Sequence, residues 1–245
     1  DLRGFYIDDN NGFHATGLGV GIAQGCVRLT QDTFWSCIPV GTIILIYNDA
    51  DPNPLVPAED LNLTDGNCTL VIPIGNCSLF EKNTSLPSST NSTYPTSGFS
   101  SCGNWTNISM ANGDDSFQII DPNNLGASVF TVSWGNNTLN NRIYFAAGMT
   151  AKTAFMANLV DNDPFNQANW ITGGAPAAET PGLPNNTANS AWINSMNNSC
   201  QPYVPLTAIF SSTDASCGCT GSASVSSSGG ITPYSYSWNP GGQNT

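Results

Sequence analysis

The sequence predicts an all-β protein folded as a sandwich, and three observations lead to this prediction. Short apolar segments recur along the chain, and turn-forming residues separate them. Only 9% of the 245 residues are charged, so Asn, Ser, Thr and Gly supply most of the polarity. An apolar content of 40% is enough for one large core or two modest ones. This profile is typical of an extracellular β protein.

Seven segments have the length and composition of strands, and turn-forming sequences such as 49–54 and 121–124 separate them. The predicted strands are 4–8, 26–30, 41–47, 68–73, 116–121, 128–134 and 142–146. Residues 82–103 are rich in Ser and Thr and low in apolar residues, which predicts an inserted loop.

Two helices and one domain boundary are also predicted. In 187–196, Ala188, Ala191, Trp192 and Met196 share a face, and Thr187 is available as the N-cap. A weaker helical pattern covers 150–159. Residues 201–205 are predicted to link a first domain, 1–200, to a partial second β domain, 206–245.

The charge balance excludes some partners. The net charge is −12 with five cationic side chains, so the chain cannot present the basic patch that nucleic acid or an anionic membrane requires. The longest apolar run, 42–47, is far shorter than the roughly 20 residues of a membrane span. Residues 1–6 do not resemble a signal peptide, so we expect any export signal to lie upstream.

The eight cysteines favour disulfides in an oxidising compartment, because the chain has neither the histidines nor the paired CxxC motifs of a zinc site. Local pairs are the simplest prediction, joining Cys26 to Cys37 and Cys68 to Cys77, although spacing leaves the connectivity open. One cysteine of the segment 217–219 is expected to pair beyond residue 245. The disulfide-forming cysteines predicted in the first domain are Cys26, Cys37, Cys68, Cys77, Cys102 and Cys200.

Groups suited to catalysis are few. The single histidine, His14, lies in a glycine-rich segment, and the three glutamates Glu59, Glu81 and Glu179 are far apart in the sequence. Nucleophile-elbow, zinc-protease and phosphate-loop motifs are missing from the sequence. We therefore predict that the chain is not an enzyme.

One segment has the alternating oxygen ligands of a calcium loop: Asp49, Asp51 and Asn53. Pro54 occupies the position where an EF-hand requires glycine, so only a looser site at one end of the sandwich is predicted. Turn formation is the favoured role of these side chains. The alternative acidic pairs are Asp8 with Asp9 and Asp161 with Asp163.

Six tryptophans could supply a platform on which sugar rings stack. Trp134 and Trp238 lie within strand patterns, and packing is the favoured role for both. The other four are Trp35, Trp105, Trp170 and Trp192.

Several motifs occur in order along residues 1–200: the segments 1–9 (DLRGFYIDD), 39–47 (PVGTIILIY), 112–121 (NGDDSFQIID), 132–135 (VSWG) and 180–185 (TPGLPN). Together they resemble the lamin-tail domain found in secreted Bacteroidota proteins. The resemblance implies an immunoglobulin-like β-sandwich. That family usually opens with one or two further strands that are missing here. Either the sequence begins inside a longer chain, or a neighbouring chain completes the edge by adding a strand.

The end of the chain contains the segments 205–217 (PLTAIFSSTDASC) and 229–244 (GGITPYSYSWNPGGQN). They resemble about half of an SprB-type repeat of Bacteroidota gliding-motility adhesins. Together the two resemblances imply a long multidomain cell-surface protein of a type exported by the type IX system.

The function expected from the sequence is a non-catalytic adhesive or structural module outside the cell. Its expected partners are identical subunits, with which it would form filaments, neighbouring domains and surface glycans. Two alternatives stay open. One is an accessory domain of a secreted enzyme, and the other is a carbohydrate-binding module that uses calcium.

Overall fold

The computed structural model describes residues 1–9, 25–84, 94–104, 108, 110–125, 128–135, 143–157, 160–197, 200, 206–215, 220–229 and 234–237. The chain forms two compact units, Asp1–Gln201 and Pro202–Thr245. The strands of the first unit are β1 Tyr6–Asp8, β2 Cys26–Leu29, β3 Ile43–Tyr47, β4 Thr69–Pro73, β5 Phe80–Asn83, β6 Ser100–Ser101, β7 Asp115–Ile120, β8 Ser128–Trp134, β9 Ile143–Phe145, β10 Lys152–Met156 and β11 Trp170–Gly174. The single α-helix of the described residues, α1, covers Thr187–Asn197. The all-β prediction is confirmed.

A seven-stranded sheet is the larger layer of the first unit. Its strand order is β6-β5-β2-β1-β7-β8-β9, and every neighbouring pair is antiparallel except β8 with β9. In β1 and β2 the side chains alternate between two buried faces: Ile7 and Val27 point to one core and Tyr6 and Cys26 to another. Both faces of the sheet are therefore covered at its centre.

A parallel pair, β3 with β4, covers one face of this sheet. Trp35 is fully buried in the core between the two layers, where its indole nitrogen donates to the carbonyl of Leu79 at 3.0 Å. Ile44 and Ile46 of β3 pack against the same core. The buried members of this core are Ile7, Val27, Leu29, Trp35, Leu70, Ile72, Ile74, Leu79, Phe80 and Ile108.

Both ends of the predicted insertion at 82–103 include strand residues. Its first residues lie in β5 and its last include β6, while 85–93 fall outside the described residues. Tyr94 is buried on the other face of the sheet and packs 5.3 Å from Tyr6 between ring centroids. The Arg28 guanidinium stacks on Phe99 at 3.6 Å. The end of this segment thus covers the second core.

The two predicted helices have different outcomes. The C-terminal helix is confirmed as α1, but its N-cap is Asn186 rather than Thr187, since the Asn186 side chain accepts from the amide of Asn189 at 2.8 Å. The helix predicted at 150–159 is wrong. That segment contains β10, which pairs with β11 in an antiparallel register from Lys152 to Met156. Tertiary pairing overrides a weak helical pattern there.

The predicted local disulfides are also wrong. Cys68 is bonded to Cys200, 132 residues later in the sequence. Cys77 is bonded to Cys102, 25 residues later. Cys26 and Cys37 are both free thiols, the first buried and the second exposed. Burial, with the Asp8 carboxylate as a second cause, raises the pKa of the Cys26 thiol, so this group stays protonated and unreactive. Cys217 and Cys219 lie outside the described residues.

In the described residues of the second unit, β12 Thr207–Thr213 pairs antiparallel with β13 Ser222–Ser228. All seven residues of β12 are exposed, including Ile209 and Phe210. Membrane-spanning helices are absent from the described parts of both units, where α1 has 11 residues.

Candidate interaction surface

An apolar groove with a volume of about 780 Å³ lies against the inner face of the large sheet. Its floor includes Phe117 and Ile119 of β7 and Val132 of β8. The β3 side chains from Ile44 to Ile46 also line it, as do Lys152 and Ala154 of β10. The second layer therefore leaves part of the β7–β8 face open.

Two strand edges border this groove. Within the described residues, β3 pairs only with β4, and β10 pairs only with β11. Each strand consequently has one edge without a strand neighbour, and unpaired backbone amides and carbonyls at such an edge can pair with another strand. The groove was not predicted from the sequence. The run of five apolar residues in β3 was a signal for it, because a strand with one face in solvent would carry polar residues at alternate positions.

Asp115 fixes one end of the groove. Its carboxylate is buried and accepts from the backbone amide of Ala111 at 2.5 Å and from that of Ser116 at 2.7 Å. The carbonyl of Ala111 in turn accepts from the indole nitrogen of Trp134 at 2.8 Å. Burial raises the pKa of Asp115 to about 6, and the neighbouring Asp114 adds to the rise, although the two backbone hydrogen bonds oppose it.

This raised pKa predicts a pH-dependent stability. The folded state holds the Asp115 proton more tightly than the unfolded state, whose carboxyl has a pKa of about 3.8. Below pH 3.8 the tighter proton binding therefore stabilises the folded state by up to about 3 kcal/mol. This stabilisation is lost as the pH rises to about 6. Urea midpoints of Asp115→Asn should fall less between pH 4 and pH 7 than those of the wild type. Parallel profiles would contradict the assignment.

The residues of the predicted calcium loop have other partners in the structure. The Asp49 carboxylate accepts from the backbone amide of Gly75 at 3.0 Å. Asn53 accepts from the amide of Leu55 at 2.9 Å and donates to Glu179. Asp51 is exposed. These contacts support turn formation as the role of the segment, and calcium binding there stays a prediction.

In the alternative acidic pairs, the side chains of Asp8, Asp161 and Asp163 accept hydrogen bonds. Asp161 accepts from the side-chain amides of Asn166 and Asn169, and these bonds lower the pKa of Asp161. Asp163 accepts from the amide of Phe165. Asp8 accepts from the hydroxyl of Tyr94. The described residues contain no group of three His, Cys, Asp or Glu side chains arranged to hold a metal ion.

The tryptophans divide between core and surface. Trp35 and Trp134 are buried, whereas Trp170 and Trp192 are partly exposed, and Trp105 and Trp238 lie outside the described residues. Trp170 belongs to a cluster of three aromatic rings with Phe130 and Phe165, at centroid distances from Phe130 of 5.6 and 6.3 Å. This cluster adjoins the 161–169 loop, since the Trp170 indole donates to the Pro164 carbonyl.

The candidate catalytic groups are held in structural contacts or fall outside the described residues. Glu81 forms a salt bridge with Arg28 at 2.7 Å. Glu59 accepts from the Asn76 side chain at 3.5 Å, and Glu179 accepts from Asn53. His14 lies outside the described residues. Glycoside hydrolysis by paired carboxylates would need two such groups at one cleft, and each of these glutamates is engaged in a contact of its own.

Fold and surface define a class of protein: an all-β, disulfide-bonded chain with an apolar groove and a second, separate β unit. Comparison with protein families identifies the second unit more closely, because residues 209–243 match the SprB repeat. No curated protein and no solved structure matches the chain significantly.

Proposed function

We propose that the chain is a non-catalytic structural or adhesive module of a large protein on the cell surface. The match of residues 209–243 to the SprB repeat carries this proposal, because the resemblance is to gliding-motility adhesins. The lamin-tail resemblance of 1–200, with a neighbouring domain or an identical subunit as partner, belongs to the same proposal. Repeated domains on a long surface protein can multiply weak contacts into firm attachment.

The disulfides and the acidic charge support this location. Two disulfides in the first unit require an oxidising compartment, which the exterior of the cell provides. A net charge of −12 keeps such a module soluble and discourages nonspecific binding to anionic surfaces. Export by the type IX system is part of the proposal.

Surface labelling of the producing cells tests the location. Antibodies raised against the 245-residue chain should label intact cells, and external protease should remove the label while a cytoplasmic control protein survives. Label that appears only after the cells are permeabilised would contradict a surface location.

The aromatic cluster favours a second candidate function, carbohydrate binding. Phe130, Phe165 and Trp170 form a partly exposed apolar patch, and Phe165 belongs to the otherwise polar 161–169 loop. Sugar rings stack on such patches. We expect Phe165→Ala, which removes a ring that is 39% exposed, to weaken binding to polysaccharide from the producing cells at least tenfold. Affinity electrophoresis measures this, with Leu183→Ala, exposed outside the cluster, as the control. Equal mobility of both variants and the wild type would exclude this patch as a glycan site.

A further inference from the structure

We propose that the groove of the first unit receives strand β12 of a second copy of the chain, which pairs with the free edge of β3. This inference rests on the proposed function and deepens it, because it names the partner of the module and the surface that binds it.

The chemistry of the groove fits a β-strand. The free edge of β3 offers backbone amides and carbonyls over five residues, a length of about 17 Å. The floor is apolar, with side chains such as Phe117 and Val132. Among the described residues that line the groove, only Lys152 carries a charge, and its amine already donates to the Gly148 carbonyl at 3.1 Å. An extended apolar segment satisfies both the edge and the floor, whereas a charged small ligand satisfies neither.

Strand β12 and the residue before it have the complementary features. Leu206, Ala208 and Phe210 alternate along the chain and so lie on one face. Leu206 is 61% exposed and Phe210 is 73% exposed, so this face is uncovered. Within the described residues β12 pairs only with β13, which leaves its other edge open for β3.

The β12–β13 pair can bind without unfolding. Phe210 lies opposite Val225, so the apolar face extends onto β13 at this pair, whereas Ala208 lies opposite the polar Ser227. Addition of the pair would extend the β3–β4 layer and cover the open β7–β8 face. Because the groove and β12 are different surfaces of the molecule, the contact is heterologous, and each bound copy presents a new groove. The chain would therefore assemble into linear oligomers.

Sedimentation of the 245-residue chain tests this inference. The mean mass should rise with concentration between about 5 and about 500 µM. Higher salt should strengthen the association, because it screens repulsion between copies that each carry a net charge of −12.

Phe210→Ser should raise the dissociation constant for this association at least tenfold, which corresponds to about 1.4 kcal/mol. Its matched control is Ile209→Ser, since Ile209 is 63% exposed on the opposite face of the same strand and should tolerate the change.

A second variant and a local readout keep the test specific. Ala154→Phe fills the groove from β10 and should weaken association as Phe210→Ser does, while circular dichroism confirms that the variant is folded. Hydrogen exchange at the β3 amides should slow as the concentration of the wild-type chain rises.

Three outcomes would overturn the inference. In the first, the chain stays monomeric at the highest concentration. In the second, Ile209→Ser weakens association as much as Phe210→Ser does. In the third, the β3 amides are equally protected from hydrogen exchange at every concentration, which indicates that β12 binds within one molecule. Surface labelling of cells does not depend on these results, so the proposed function and the mode of assembly can fail separately.

Discussion

Replacement of Cys68 and Cys200 together by alanine should lower the free energy of unfolding by about 5 kcal/mol. This disulfide joins the start of β4 to the segment that follows α1 and closes 132 residues of sequence. Its loss increases the conformational entropy of the unfolded chain, and the increase grows with the logarithm of the loop length. Equilibrium unfolding in guanidinium chloride, followed by tryptophan fluorescence, measures the change.

The other disulfide provides a matched comparison. The Cys77–Cys102 bond closes 25 residues, so its double alanine variant should lose about 3.5 kcal/mol. Cys37→Ala, at an exposed free thiol, should change stability by less than about 0.5 kcal/mol. If the Cys68 and Cys200 variant were as stable as Cys37→Ala, the long-range bond would not stabilise the first unit.

Trp35→Ala should lower the free energy of unfolding by about 4 kcal/mol. The indole is fully buried between the two layers and packs against Phe34 and Phe80 at centroid distances of 5.0 and 5.8 Å. Truncation leaves a large cavity and also removes the hydrogen bond to the Leu79 carbonyl. Thermal or urea unfolding of the purified variant measures the loss.

Trp35→Phe separates the two contributions to this loss. Phenylalanine keeps most of the ring volume but cannot donate to Leu79, so we expect a smaller loss of about 2 kcal/mol. Val40→Ala, at a side chain that is 78% exposed, is the control and should be nearly neutral. Equal stability of Trp35→Ala and Val40→Ala would show that Trp35 is not at the centre of the core.

Local patterns predicted much of the secondary structure. The run from Ile43 to Tyr47 and the segment before Trp134 are strands because apolar and β-branched side chains suit a pleated, buried surface. The helix that starts at Thr187 follows from its apolar face and the capping side chains before it. In these segments, local preference and tertiary packing agree.

The failed predictions concern contacts between residues that are far apart in sequence. Spacing favoured local disulfides, but Cys68 reaches Cys200 because the chain returns to β4 after α1. The segment 150–159 has no strong helical preference, so its pairing with β11 decides its conformation. The burial of Tyr94 depends on contact with Tyr6, 88 residues earlier in the sequence, and composition cannot report such a contact.

The candidate interaction surface was the least predictable feature. A groove exists where the second layer does not cover β7 and β8, so it depends on the order of strands in space rather than on any motif. Sequence similarity raised the possibility of strand addition, but it did not identify β3 or β10 as the free edges. The acidic residues at 49–53 were recognised, and their contacts with Gly75 and Glu179 became visible only after folding.

An in-frame deletion of the gene region that encodes residues 1–245 tests the central claim most directly. Attachment of the producing cells to glass and to polysaccharide should be measured together with the hydrolytic activities that the cells secrete. A non-catalytic adhesive or structural module predicts weaker attachment or gliding with every secreted activity unchanged. Normal attachment combined with the loss of one hydrolytic activity would contradict this function and identify the chain as an accessory domain of an enzyme.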